Sequence, residues 1–186
     1  MVKKLIPLPM LLWFVLFVAP LLRAGESSTP SQTSKSSSNP FGIQRLDEKK
    51  EAPPFCLKTL NGGSVSLSDY KGRPVLLAFW ATWCPSCVEE LPLLEKFMAK
   101  NKDQITVLTL AVDGEKEKRI QRVVNKNQIT LPVLLDVKRK IACIYGVNFV
   151  PAAFLINREG LIVGKIIGER DWTSPEAWPS IKEVLW

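Results

Sequence analysis

Apolar residues between Pro53 and Trp186 fall into short solid blocks that alternate with runs at helical spacing. Val75–Trp80 is apolar throughout, the pattern of a strand covered on both faces. Residues 105–112, apolar but for Thr106 and Thr109, predict another strand, ending at Asp113-Gly114. Between the two strands, Leu91, Leu94 and Met98 recur three and four apart, which predicts a helix after Cys84 with a kink at Pro92. Residues 115–128 predict an amphipathic helix, with Ile120, Val123 and Val124 inward and Lys116, Lys118, Arg119, Arg122 and Lys126 toward water. A short strand over 132–135 and a short helix over 137–145 follow. Alternating runs predict two hairpins: 55–60 with 65–67 around Asn61-Gly62-Gly63, and Ala152–Ile156 with Leu161–Ile167 around Asn157-Arg158-Glu159-Gly160. Residues 174–186 predict a last helix, with Pro175 and Pro179 near its start. No internal repeat is present. This order predicts an α/β fold, a central mixed sheet flanked by helices, with the first hairpin as an N-terminal extension.

Upstream the pattern changes. Lys3 and Lys4 precede an apolar stretch over residues 5–22, densest at 10–19, followed by Pro20 and the small Ala24. That is the layout of a secretory signal over residues 1–24. Eighteen apolar residues also reach the short end of a bilayer-spanning anchor. Pro7, Pro9 and Pro20 disfavour a long straight helix and so favour cleavage near Ala24. In either form the lysines stay cytoplasmic and the rest is exported, to the periplasm or another extracytoplasmic space, with anchoring to the cytoplasmic membrane if the segment is kept. Residues 25–39 hold seven serines and no apolar residue, too polar to bury the surface that ordering requires. Residues 25–52 are therefore expected to be a flexible linker with a reach on the order of 30 Å. Phe41, Ile43 and Leu46 lie inside it without a pattern that defines an element. Residues 53–186 are long enough for one compact domain.

Charge narrows the function classes. The formal net charge is +7, three of it from Lys3, Lys4 and Arg23, which leaves +4 on residues 25–186. The remaining cations are dispersed rather than striped with aromatics, so nucleic-acid binding has no support.

Chemistry concentrates in Trp83-Cys84-Pro85-Ser86-Cys87, at the expected passage from strand to helix. A cysteine at a helix N-terminus meets unpaired N–H groups and the positive end of the helix dipole, both of which favour a thiolate. A structural zinc site needs about four ligands, and this chain has no histidine and only two further cysteines, Cys56 and Cys143. Haem attachment needs a histidine directly after the second cysteine, where Val88 stands. A structural disulfide closing so small a ring removes little unfolded-state entropy. Redox use of Cys84 and Cys87 is the expectation. Cys56 and Cys143 lie in apolar surroundings and are expected to be buried free thiols.

Residues 79–87, Phe-Trp-Ala-Thr-Trp-Cys-Pro-Ser-Cys, followed by Val150-Pro151-Ala152-Ala153-Phe154-Leu155-Ile156-Asn157, resemble the thioredoxin fold, and within it the exported TlpA/ResA/DsbE group of thiol–disulfide oxidoreductases. Tyr70-Lys71-Gly72-Arg73-Pro74, Cys87-Val88-Glu89-Glu90-Leu91-Pro92 and Tyr145-Gly146-Val147 match as well, so the resemblance covers about residues 53–170. It implies a redox-active Cys84–Cys87 disulfide, with Cys84 attacking and Cys87 resolving. It also implies a cis bond at Val150-Pro151, which leaves the Val150 backbone free to pair with a substrate strand. Trp83 resembles the family tryptophan that shields the disulfide and meets partners, and Pro85 lies on the same substrate-facing turn. Trp80 is better read as core packing. No cofactor or metal is implied. The partners implied are exported disulfide proteins, apocytochrome c among them, and a membrane thiol carrier as electron donor.

Glu90 follows Cys87 by three residues, which puts both on one helix face. A partly buried carboxylate there can relay a proton to or from Cys87, whereas Glu89 suits the solvated first turn. Thioredoxins proper carry a buried aspartate where this chain has Ala78, a departure that strengthens the reading of Glu90. Two other functions compete with disulfide reduction. A thiol peroxidase of the peroxiredoxin type uses Thr or Ser three residues before its reactive cysteine, where Ala81 stands. A thiol metal-binding module of the copper-delivering kind pairs thiols with imidazole, which this chain lacks.

Overall fold

The structure, a computed structural model, describes residues 39–186. The expectations for residues 1–24 and for 25–38 lie outside the described residues. From Gln44 onward the elements are β1 (Gln44–Glu51), β2 (Cys56–Lys58), β3 (Ser64–Ser66), β4 (Val75–Trp80), α1 (Pro85–Asn101), β5 (Thr106–Ala111), α2 (Glu117–Lys126), β6 (Val133–Leu135), α3 (Lys140–Ile144), β7 (Ala152–Ile156), β8 (Leu161–Ile167) and α4 (Ala177–Leu185). Six strands form one mixed sheet in the order β1-β8-β7-β4-β5-β6. β4, β5 and β6 run parallel, while β7, β8 and β1 join antiparallel. Helices flank the sheet, and the fold is thioredoxin-like. The β2–β3 hairpin forms its own two-stranded sheet, tied to β6 where the Leu60 N–H donates to the Val133 carbonyl at 2.9 Å.

β4 and β5 lie at the middle of the sheet, and every residue of both is buried. Helix α1 presses Leu91, Leu94 and Phe97 into the core and continues through Pro92. Each such side chain stabilises the fold by about 1.5–3 kcal/mol on burial. Helix α2 buries Ile120 and Val124 and half-buries Val123, as its pattern predicts.

Two expectations are corrected. The linker does not extend to residue 52, because residues 44–51 are a strand of the main sheet. Its sequence, Gln-Arg-Leu-Asp-Glu-Lys-Lys-Glu, has no apolar alternation, since all its side chains except the half-buried Leu46 point to water. Backbone pairing to β8 holds it, and the buried Phe41 and Ile43 anchor its start. The second correction concerns Cys56 and Cys143, which are free but exposed rather than buried. Each takes an outward position on its element, β2 and α3, while Phe55 and Ala142, the residues just before them, are buried.

Candidate active site

β4, an interior strand, ends at Trp80, and the next four residues form the turn into α1. Ala81 is fully buried, and its carbonyl accepts from the Cys84 N–H at 3.2 Å. Thr82 is pinned from the far end of β5: Asp113, also buried, accepts its N–H at 3.0 Å and its hydroxyl as well. Trp83, held between these anchored residues and the helix, is 53% exposed. Cys84 is the N-cap of α1 and Pro85 follows at the first helical position, where its missing N–H costs nothing. The cap is the sulfur itself, which accepts the Cys87 N–H at 3.2 Å. A thiolate at Cys84 therefore gains a charge-assisted hydrogen bond and the helix dipole together.

Cys84 and Cys87 form a disulfide with their Cα atoms 5.3 Å apart. Cys84 is 7% exposed and Cys87 1%, so an incoming group meets the first sulfur before the second. The Val150–Pro151 bond is cis. It brings the Val150 carbonyl to 3.7 Å from Cys84 Sγ, within reach of a thiol S–H when the pair is reduced. Phe149, one residue earlier, is 77% exposed.

Beneath the disulfide, Glu90 is buried. Its Oε1 accepts the Trp172 indole N–H and, at 3.1 Å, the Arg170 backbone N–H. Burial, the largest influence, pushes its pKa up from the ordinary 4.5 to about 7, although both hydrogen bonds and the Arg170 charge pull it down. Glu89 is exposed, as its place in the first turn predicts. Cys87, Glu90, Pro151 and Trp172 line one small cavity of about 10 Å³, room for about one water. Trp80 borders the same cavity and is core as expected, but its indole N–H has no partner among the described residues.

The structure thus brings together Trp83, Cys84, Pro85, Cys87, Glu90, Val150 and Pro151, from the turn after β4, α1 and the loop before β7. Sequence reasoning missed Asp113, Arg170 and Trp172. Asp113 looked like ordinary turn punctuation after β5. Trp172 lies 82 residues from Glu90 in a loop without periodicity, and no local signal linked the two.

A disulfide at a strand-to-helix turn, with its first sulfur less deeply buried than its mate, defines a thiol–disulfide oxidoreductase domain of the thioredoxin-like class. Comparison with known proteins agrees. The AhpC/TSA family profile matches residues 49–165. The thiol–disulfide oxidoreductase ResA of Bacillus anthracis is 36% identical over 128 residues, 68% of this chain and 73% of that protein. A solved chain from Chlorobium tepidum, described as a candidate thiol:disulfide interchange protein DsbE, superposes with a TM-score of 0.68 at 30% identity over 76% of this chain and 99% of its own. The pneumococcal exposed lipoprotein thioredoxin Etrx1 of Streptococcus pneumoniae superposes with a TM-score of 0.63 at 32% identity over 70% of this chain and 99% of its own. This chain belongs to the AhpC/TSA family, among its ResA- and DsbE-like thiol–disulfide oxidoreductases.

Proposed function

We propose that this enzyme works outside the cytoplasm as a reductant of protein disulfides. The observation that carries the reading is the Cys84 sulfur at the N-cap of α1, more accessible than its mate and hydrogen-bonded by the Cys87 N–H. In the reduced protein the Cys84 thiolate attacks one sulfur of a substrate disulfide, and the other leaves as a thiolate. Cys87 then loses its proton and attacks Cys84, which releases the second substrate thiolate and closes the Cys84–Cys87 disulfide. Two electrons pass to the substrate, and a membrane thiol carrier restores them.

Glu90 is the base for the second step. A carboxyl with a pKa of about 7 exchanges protons near neutral pH, and the cavity it shares with Cys87 offers a one-water path between them. Trp83, Pro85, Val150 and Pro151 form the substrate face, with the Val150 backbone available to an extended segment. Cysteines of apocytochrome c awaiting haem are the proposed substrate class. Export is supported by the Lys3-Lys4 apolar leader pattern and by the exposed location in the description of the pneumococcal relative.

A Cys87→Ser variant, expressed in a host that exports it, tests the reading. It should accumulate mixed disulfides at Cys84, and the captured partners should include proteins with paired cysteines destined for haem. The wild-type pair should be kept reduced in that host. A pair found wholly oxidised at steady state would refute the reductant role in favour of an oxidase.

A further inference from the structure

Glu90 receives its hydrogen bonds from a loop that is itself gripped from outside. Arg170 and Trp172 lie just after β8. The Trp172 ring packs edge-on against Phe41 at 5.2 Å and Phe97 at 5.6 Å between centroids. The Arg170 guanidinium donates through Nε to the Phe41 carbonyl at 3.0 Å, while its backbone N–H donates to Glu90. Phe41 belongs to a turn closed by Asn39, whose side chain accepts the Phe41 N–H at 3.0 Å and whose carbonyl accepts the Gly42 N–H at 2.7 Å. Gly42 has φ +74°, and a Cβ there would lie 2.6 Å from Arg170 Nη2 and 3.0 Å from Nε. A side chain at that φ is strained, and its Cβ would displace the guanidinium from the turn. We propose that the Phe41-Gly42 turn is a positioning device for Glu90, acting through Arg170 and Trp172, so that residues ahead of β1 belong to the acid–base machinery of the disulfide.

The electrostatic direction follows from the geometry. Charged groups facing Glu90 are Arg170 and Glu169 on the loop after β8, and the thiol of Cys87 lines the same cavity from one turn earlier on α1. Both donors and the Arg170 charge favour the carboxylate form. Displacing Arg170, or removing the indole N–H, therefore shifts Glu90 toward its protonated form and raises the pH at which it ionises.

The proposal rests on Glu90 as the proton relay, and two readouts separate the claims. The first is the ionisation midpoint of Glu90 by carboxyl carbon NMR on the full-length oxidised chain, where neither Cys84 nor Cys87 titrates. Gly42→Ala, which pushes on Arg170, and Trp172→Phe, which keeps a ring but removes the donor, should each raise the midpoint by about one pH unit. Arg45→Gln is the control: it breaks the exposed Arg45–Glu183 pair on β1 without touching the turn, and should leave the midpoint in place. An unmoved midpoint in Gly42→Ala overturns the proposal, as does an equal shift in Arg45→Gln, which would mark general loosening of the N-terminal strand. The second readout is the pH profile of disulfide reduction. A midpoint that moves while the profile stays fixed supports the coupling and removes the relay.

Discussion

Replacing Glu90 by Gln should change how stability depends on pH, and the size follows from the site. In the unfolded chain this carboxyl ionises near its ordinary 4.5; in the folded protein burial holds it protonated up to about 7. Between those values the native state keeps a proton that the unfolded state has lost, so stability falls as pH rises. The slope is about 1.4 kcal/mol per pH unit, and the loss reaches about 3 kcal/mol above pH 7. The contribution is fully present below pH 4.5. Gln cannot ionise, yet its carbonyl can still accept from Trp172 and the Arg170 N–H, so the variant lacks this slope while keeping the local bonds. Urea unfolding of the oxidised proteins, followed by tryptophan fluorescence at several pH values from 4.5 to 8, measures the difference directly. The Gln variant should gain on wild type by about 3 kcal/mol across that range. Parallel stability curves would show that Glu90 is solvated and ionised like a surface carboxylate, and the raised pKa would be refuted.

Alkylation of the reduced protein should modify Cys84 before Cys87, with an apparent pKa below the free-thiol value of about 8.5, because the N-cap position and the Cys87 N–H both favour the thiolate; first labelling at Cys87 contradicts the assigned roles. Asp113→Ala should strand the buried Thr82 N–H without a partner, at a cost of roughly 1–3 kcal/mol, and lower the melting temperature by about 5 °C in calorimetry. Trp83→Ala should lower kcat/KM for a protein disulfide by about tenfold while the rate with a small disulfide stays near wild type. Equal losses on both substrates would show that Trp83 acts on the sulfur chemistry rather than on docking.

What was legible in the sequence depended on whether a residue's partners lay on its own element. Val75–Trp80, Ala152–Ile156 and Leu161–Ile167 match the observed strands end to end, because burial on the sheet writes itself into every residue or every second one. Cys84, Cys87 and Glu90 were legible because one helix carries all three at fixed spacing. Arg170 and Trp172 were not, since their contact with Glu90 depends on the packing of the β8–α4 loop over α1. β1 was hidden for a different reason: backbone pairing leaves no trace in side-chain pattern when nearly every side chain faces water. The exposure of Cys56 and Cys143 shows the same limit at single positions, where apolar neighbours say little about which way one side chain points.

β1 also bears on how this protein keeps to itself. Without it, β8 would be the outermost strand of a five-stranded sheet, its Leu161-Ile162-Val163 and Ile166-Ile167 backbone open to any passing extended segment. The chain covers that edge with its own charged strand, irregular in register between Arg45 and Lys50 and rich in Lys and Glu, features that discourage another chain from adding to the row. A chain trimmed to begin at Pro53, the boundary that hydrophobicity suggests, would keep both cysteines and lose this guard. Self-association of the trimmed protein is the consequence to design around, in addition to the loss of the Phe41-Gly42 turn.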